Sequence, residues 1–383
     1  MSQREALAVT SAAFAQYLSI VGLSETTLSR FYEGNTYEGK RVWRARRPHS
    51  FPLAVALSGG ADSMALMLLL REFMCAHGIE TPLLAITIDH QLRPESADEA
   101  RHVGAICTER WQVKHMIAQC EWDRHPEQQG SPRKSKLQEA ARAYRYELLT
   151  DVCREHGVRC LFVAHNLGDQ LETMLFRLGR ASGINGIAGI APSSVLHGKA
   201  GDLDAIHLLR PLMEVSKASM KATCKRFVQD WVEDPSNESL VYDRIRIRKE
   251  LERLEVENED GPELIQMLSD FQLAAARAKE EFTQAEQALL HKHSKVECPD
   301  LVVLSSTILS DESAFDELLI RVLSEIVRSV GRKDTPPRLS SLQGLLHDLR
   351  RLGSGKKVTL SGCCVMKKER GQELHFYPEH HHC

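Results

Sequence analysis

The sequence lacks the features that mark membrane, secreted and metal-cluster proteins. No apolar run approaches the roughly 20 residues that a membrane-spanning helix needs, and the N-terminus has no charged-then-apolar signal pattern. The ten cysteines include no C-x-x-C pair, and the adjacent Cys363 and Cys364 are poorly placed for a disulfide of ordinary geometry. We therefore expect a soluble intracellular protein with reduced thiols and no membrane partner.

A strong excess of charge of either sign is also missing. The 383 residues carry a formal net charge of -3, and 43% of them are hydrophobic. Any nucleic-acid partner must therefore be held by a local basic surface, because the protein as a whole attracts no polyanion. A basic cluster does occur at Arg41, Arg44, Arg46 and Arg47. Since organelle transit segments are also basic, the sequence leaves both a cytoplasmic and a mitochondrial location open.

The sequence does contain a regular alternation of strand-length apolar runs with helical patterns. The alternation predicts an α/β fold, a parallel sheet with helices on both of its faces. The apolar runs occupy residues 53–57, 83–88, 115–118, 160–164 and 207–209.

Changes in this pattern predict three regions. Residues 1–52 form a helical and basic extension, and residues 53–255 form the sheet domain. Residues 256–383 are predicted to be mainly helical, with short strands after a double proline. This last region carries no motif of its own.

The most informative stretch is the string SGGADS, which lies between the first apolar run and a helical segment. Gly59 and Gly60 allow a tight turn around an anion, while Ser58 and Ser63 add hydroxyl donors at a helix N-terminus. An acidic residue in such a cradle indicates a shared cation, so Asp62 predicts magnesium bound beside a polyphosphate. The alternative is an ordinary glycine-rich turn that is capped by a serine or an aspartate.

Polar turns also follow the second and the fourth apolar run, at residues 89–96 and 165–172. The carboxyl ends of parallel strands meet at one edge of a sheet, and ligands bind there in open α/β sheets. His165 and Asp169 are one helical turn apart in the second of these turns, so both are expected at that edge. A histidine that only satisfies a strand end is the structural alternative for His165.

Taken in order, these segments resemble the PP-loop ATP pyrophosphatases and, within them, the tRNA(Ile)-lysidine synthetases. The resemblance covers about residues 53–250, and the colinear series is more specific than any one motif. The matching strings are SGGADS, IDHQLRPES, LQEAARAYRY, HNLGDQLET, RASGINGIAGI, RPL, EDPSN and YDRIRIR. Two positions depart from the family pattern, Gly168 in the HNLGDQ turn and Ile245 after Arg244.

The resemblance implies a site that uses ATP and magnesium. It assigns catalytic roles to Asp62, Arg142, His165 and Asp169, with Asp62 also binding the metal. The loop residues Ser58, Gly59, Gly60, Asp62 and Ser63 would bind the nucleotide. Contacts with tRNA are assigned to Arg180, Arg244 and Arg248, of which Arg244 and Arg248 share one face of a helix. A tRNA-binding addition is one interpretation of residues 256–383.

The implied reaction joins free L-lysine to C2 of the wobble cytidine in an isoleucine tRNA with a CAU anticodon, after ATP has adenylated that base. Another PP-loop tRNA-modifying enzyme such as a thiolase is an alternative, although thiolation usually needs the C-x-x-C cysteines that this chain lacks. A nucleotide-binding or tRNA-binding module without catalysis is a second alternative. Loss of Asp62 or Asp169 would indicate the latter, and both are present.

Overall fold

The structure is a computed structural model, and it divides into two compact units, Met1–Leu273 and Ala274–Cys383. No helix among the residues that it describes is long and apolar enough to cross a membrane. The basic cluster at 41–47 and the Asp234-to-Asn237 turn lie outside these residues. The described residues are 6–24, 52–93, 95–122, 137–180, 182–198, 204–233, 243–257, 261–298, 300–333, 335–368 and 372–379.

The first unit contains a six-stranded sheet flanked by helices. Its strands are β1 (Leu53–Ala56), β2 (Leu83–Asp89), β3 (Lys114–Gln119), β4 (Cys160–Phe162), β5 (Ser193–His197) and β6 (Ile206–Leu209). Its described helices are α1 (Ser11–Ile20), α2 (Ala61–Ala76), α3 (Ser96–Ala105), α4 (Leu137–Glu155), α5 (Leu167–Leu178), α6 (Gly183–Ile187), α7 (Lys217–Arg226) and α8 (Asp243–Glu257). The boundary between the units falls within α9 (Gly261–His293).

The strand order is β3-β2-β1-β4-β6-β5. The first five strands in this order run parallel, which confirms the predicted parallel sheet, while β5 pairs antiparallel with β6 at the edge. The chain moves outward from β1 through β2 to β3 and then crosses to β4 on the other side. The β1–β4 junction is therefore the topological switch point, where ligands of such sheets bind.

Helices cover both faces of this sheet, as the alternation predicts. Leu53 and Val55 of β1 face a core that includes residues of α1, α2 and α7. Ala54, between them, faces a second core with Leu149 of α4. Because successive strand residues point to opposite faces, a strand with apolar residues at every position is buried on both sides.

Gly59 makes the sharp turn from β1 into α2. Its φ of +84° lies in the left-handed region, and a Cβ there would stand 2.8 Å from Val103 Cγ2. The Gly59 carbonyl also accepts a hydrogen bond from the Val232 amide at 2.9 Å. The turn is thus fixed both by backbone conformation and by close packing of α3 and the segment after α7.

The second unit contains an antiparallel sheet with the order β7-β8-β11-β10-β9. Its core joins this sheet to its helices through residues such as Phe376 and Val327. Its strands are β7 (Ser294–Cys298), β8 (Leu301–Ser305), β9 (Lys357–Leu360), β10 (Cys363–Lys367) and β11 (Glu373–Pro378). Its further helices are α10 (Asp316–Val330) and α11 (Leu339–Arg351).

The region is helical with strands, as predicted, but its helical part is interrupted at 294–305 by the β7–β8 hairpin. That segment was missed because the run from Leu301 to Leu304 is short and its β-branched residues pair with distant β11. The division into residues 1–52, 53–255 and 256–383, and tRNA binding by the last of these, stay predictions.

Replacing Gly59 by alanine should destabilise the protein more than replacing Gly22, whose φ is +76° but whose Cβ position is open. Left-handed backbone costs an L-residue about 1–2 kcal/mol at both positions, whereas only Gly59 adds the overlap with Val103. Urea unfolding of the two variants and the wild type measures the difference. Equal losses of unfolding free energy would contradict close packing around Gly59.

Candidate functional site

The turn that follows β1 is organised by its two serines. Ser63 Oγ donates to the Gly60 carbonyl at 3.0 Å, accepts from the Ser58 amide at 3.2 Å and lies 3.2 Å from Ser58 Oγ. No side chain caps the N-terminus of α2. The first amides of a helix have no partner within the helix, so the turn presents uncapped donors and a positive dipole end to a ligand.

Asp62 stands in the first turn of α2 with one oxygen paired and one without a partner. Its Oδ2 contacts Lys217 Nζ at 3.2 Å, whereas its Oδ1 is buried and makes no hydrogen bond within the described residues. Burial raises the pKa of the Asp62 carboxyl and the charge of Asp169 adds to this rise, whereas Lys217 and the Asn166 side chain oppose it. A second cation beside Oδ1 would therefore stabilise this carboxylate.

Asp169 begins α5 in a capping box. The Asn166 side chain accepts from the Asp169 amide at 3.0 Å, and Asp169 Oδ2 accepts from the Asn166 amide at 3.0 Å. A Cβ at Gly168 would stand 3.1 Å from Asn166 Oδ1, so the glycine leaves room for the cap. The departure from the family pattern at 168 thus coincides with a well-formed helix start.

Glu172, one turn further along α5, joins two of the predicted tRNA-binding arginines. Its side chain is 4% exposed, and its Oε2 accepts from Arg248 Nη2 at 2.6 Å and from Nε at 3.0 Å. Arg244 Nη1 lies 3.4 Å from Oε1, and Arg248 also reaches Asp169 Oδ1 at 3.4 Å. The structure therefore brings Arg244 and Arg248 together on one buried carboxylate, that of Glu172.

His165 follows β4 and is held by an arginine from the next strand. Arg210 Nε donates to His165 Nδ1 at 3.1 Å. Burial, together with the charges of Arg210, Arg145 and Arg142, lowers the pKa of His165 to about 3. The imidazole is accordingly neutral at physiological pH in the protein without ligand.

The arginines near His165 surround Tyr146 on α4. The Arg142 and Arg145 guanidinium carbons lie 5.2 and 5.3 Å from the centre of the Tyr146 ring. Although burial raises the pKa of Tyr146, the charges of Arg145, Arg142 and Arg210 outweigh it, and the net shift is downward. Arg145 Nε is buried without a hydrogen-bond partner among the described residues. Such a concentration of positive charge favours a bound anion.

A second group of arginines extends from this cluster along α5. Arg180 and Arg244 place their guanidinium carbons 4.1 and 4.8 Å from the centre of the Phe176 ring. Burial lowers the pKa of Arg177, and the charges of Arg244 and Arg142 lower it further. The predicted residues Arg142, Arg180 and Arg244 thus belong to one cationic surface of the first unit.

The predicted catalytic carboxylates meet across the switch point. Asp62 and Asp169 interact electrostatically, although one follows β1 and the other follows β4. No three His, Cys, Asp or Glu side chains among the described residues form a metal cage. Two carboxylates with one unpartnered oxygen do fit magnesium, which binds one or two carboxylates and completes its shell with phosphate and water.

Lys217 and Arg210 are the residues that sequence reasoning missed. Lys217 begins α7, 155 positions from Asp62, and Arg210 lies 45 positions from His165. Arg210 is the first residue of the RPL string, directly after β6, and Lys217 follows the N-cap Ser216 of α7. Neither has a sequence signal that connects it with its partner.

Comparison with known proteins identifies the class of this site. Residues 37–255 match the family model described as the PP-loop domain, more than half of the chain. These residues include the turn after β1, both carboxylates and the arginine cluster, so the sheet unit is a PP-loop domain.

Individual proteins that are similar to most of the chain share one name. The tRNA(Ile)-lysidine synthase of Ruegeria pomeroyi is 32% identical over 83% of this chain and 69% of that protein. Those of Wolbachia pipientis and Brucella ovis are 30% and 31% identical, over 82% and 85% of this chain and 68% of each relative. The chain belongs to the tRNA(Ile)-lysidine synthase family.

The partly buried His165 should make the protein sensitive to acid. Its pKa is 6.5 in the unfolded chain and about 3 in the folded one, so between these values the unfolded state binds the additional proton. Stability that is fully present above pH 6.5 is then lost as pH falls towards 3, by about 1.4 kcal/mol per pH unit from this group. Urea unfolding of His165→Gln between pH 6.5 and 4.5 should show a shallower pH dependence than the wild type. An unchanged slope would contradict a neutral histidine with a lowered pKa at this position.

Proposed function

We propose that the protein is an ATP-dependent tRNA(Ile)-lysidine synthetase, a ligase that forms a carbon–nitrogen bond. It adenylates C2 of the wobble cytidine in an isoleucine tRNA with a CAU anticodon, and the amine of free lysine then displaces AMP. Family membership over most of the chain carries the proposal. The juxtaposition of Asp62, Asp169 and the PP-loop turn supports it. Adenylation requires that the phosphates of ATP be fixed in position and that their negative charge be neutralised.

The turn after β1 holds the departing pyrophosphate. The uncapped amides at the start of α2, together with Ser58 and Ser63, donate hydrogen bonds to phosphate oxygens. This loop lacks the lysine of a Walker sequence, and Lys217 supplies an ammonium from α7 instead. When the nucleotide binds, Lys217 exchanges the Asp62 carboxylate for a phosphate oxygen.

Magnesium would be held by Asp62 through its unpartnered Oδ1, with Asp169 as the neighbouring carboxylate. When bound, the ion supplies positive charge that neutralises the polyphosphate during transfer. The Asp169 carboxylate also suits an ammonium group, so it can direct the incoming lysine amine towards the adenylated base.

The cationic surface receives the other anions of the reaction. Arg142 lies beside neutral His165, so a guanidinium and an imidazole donor are both available to the α-phosphate. Arg180 and Arg244, which contact Phe176, are proposed to bind the phosphate backbone near the anticodon. Arg248 supports Asp169 and Glu172 through its ion pairs and adds charge to the same surface.

The decisive activity measurement combines the purified protein with ATP, magnesium, lysine and a transcript of the isoleucine tRNA. We expect pyrophosphate release and covalent attachment of labelled lysine to the tRNA. A transcript with a CAU-to-GAU anticodon change should accept none, because the target cytidine is absent. Pyrophosphate release without tRNA, or sulfur instead of lysine incorporation, would contradict the proposed reaction.

Asp62→Asn should abolish ATP-dependent pyrophosphate release while the protein stays folded, because the amide removes the charge beside the polyphosphate. Asp98→Asn is the matched control, since Asp98 lies in the first turn of α3 and pairs with exposed Arg101. Turnover and thermal unfolding of both variants are compared. Retained turnover in Asp62→Asn would refute the magnesium role of this residue.

A further inference from the structure

The hydrogen bond between Arg210 and His165 fixes the position of the imidazole proton. A guanidinium group has only donors, so His165 Nδ1 must supply the lone pair that accepts from Arg210 Nε at 3.1 Å. A neutral imidazole carries one proton on one of its two nitrogens. Once Nδ1 accepts, the remaining proton must be on Nε2.

Arg210 is itself held rigidly. It is 7% exposed, and its Nη1 donates to the Ala191 carbonyl at 2.9 Å and to Ser194 Oγ at 3.1 Å. Ser194 belongs to β5, the antiparallel edge strand that pairs with β6 just before Arg210. The edge strand therefore sets the direction of the guanidinium, and the guanidinium sets the state of His165.

We propose that Arg210 is a positioning residue that locks His165 in the tautomer with the proton on Nε2. The site thereby keeps one uncharged donor of fixed identity beside its arginines. The contact of this donor with a phosphate rests on the proposed function, whereas the tautomer itself does not. A histidine that could accept at Nε2 would present a lone pair to an anion and repel it.

The positive charges around His165 keep its imidazole neutral, so that Nε2 remains a donor as the pH changes. The charged and titratable groups that face it are Arg210 after β6, and Arg142 and Arg145 on α4, with Tyr146 interacting with Arg210. Among these groups only the phenol could become negative, and it stands between the arginines. These positive charges thus oppose protonation of His165 throughout the pH range in which the enzyme works.

Nitrogen-15 NMR of histidine-labelled full-length protein without substrates tests the tautomer directly. The chain has 17 histidines, so His165 is assigned as the signal missing from His165→Gln. We expect a protonated Nε2 and an unprotonated Nδ1, with no change between pH 5 and pH 8. A proton on Nδ1, or titration within that range, would overturn the proposal whatever the activity assay shows.

Three variants separate the hydrogen bond from the charge. In Arg210→Met the tautomers should mix and the pKa of His165 should rise, because Nδ1 loses its donor. Arg145→Met is the control: it removes a charge that lowers the pKa, yet no described hydrogen bond joins Arg145 to His165, so the Nε2 tautomer should persist. Arg210→Lys should restore the wild-type tautomer through its ammonium.

Thermal unfolding of the variants shows whether loss of the Ala191 and Ser194 contacts unfolds the protein. If Arg210→Met does not fold, the wild-type spectrum and Arg210→Lys still decide the question. A folded Arg210→Met that keeps the pure Nε2 tautomer would overturn the positioning role.

Discussion

The parallel pairing of β1 with β4 is the constraint on which the rest of the site depends. Its register sets Val55 opposite Phe162, so the turns after the two strands begin at the same level of the sheet. Only this adjacency brings Asp62 and Asp169 into electrostatic contact across more than 100 positions of sequence. The helices that follow these strands, α2 and α5, begin at the same edge of the sheet, so their N-terminal backbone donors face the region of the two carboxylates.

The site separates its charges by the elements that carry them. Carboxylates stand on the first turns of α2 and α5, and each of them is balanced by a cation from elsewhere, Lys217 or Arg248. The arginines of α4 and the end of β6 instead interact with His165 and with the Tyr146 phenol, and no ion pair joins them to a carboxylate of the described residues. A reaction that joins a polyanion, a cationic amine and a nucleobase needs both environments.

Local signals in the sequence were sufficient to predict most helices and strands of the first unit and the motifs at their ends. The helix at Leu137–Glu155 and the turns that hold Asp62 and Asp169 follow from periodicity, capping residues and glycine chemistry, all of which act over a few positions. The ion pairs of Lys217 and Glu172, and the bond of Arg210, depend on which strands become neighbours. The edge strand β5 escaped notice because its exposed alternation is short and polar, and it is stabilised only by its pairing with β6.

The ion pair with Lys217 gives the Asp62 carboxylate a counter-ion from within the protein. This partly buried carboxylate is therefore balanced without a divalent cation, so folding does not depend on metal binding. Nucleotide binding then becomes an exchange of partners, in which one ion pair opens while others form. Nucleotide affinity is consequently a difference between two states of similar charge balance, and re-formation of the Lys217–Asp62 pair would favour release of pyrophosphate.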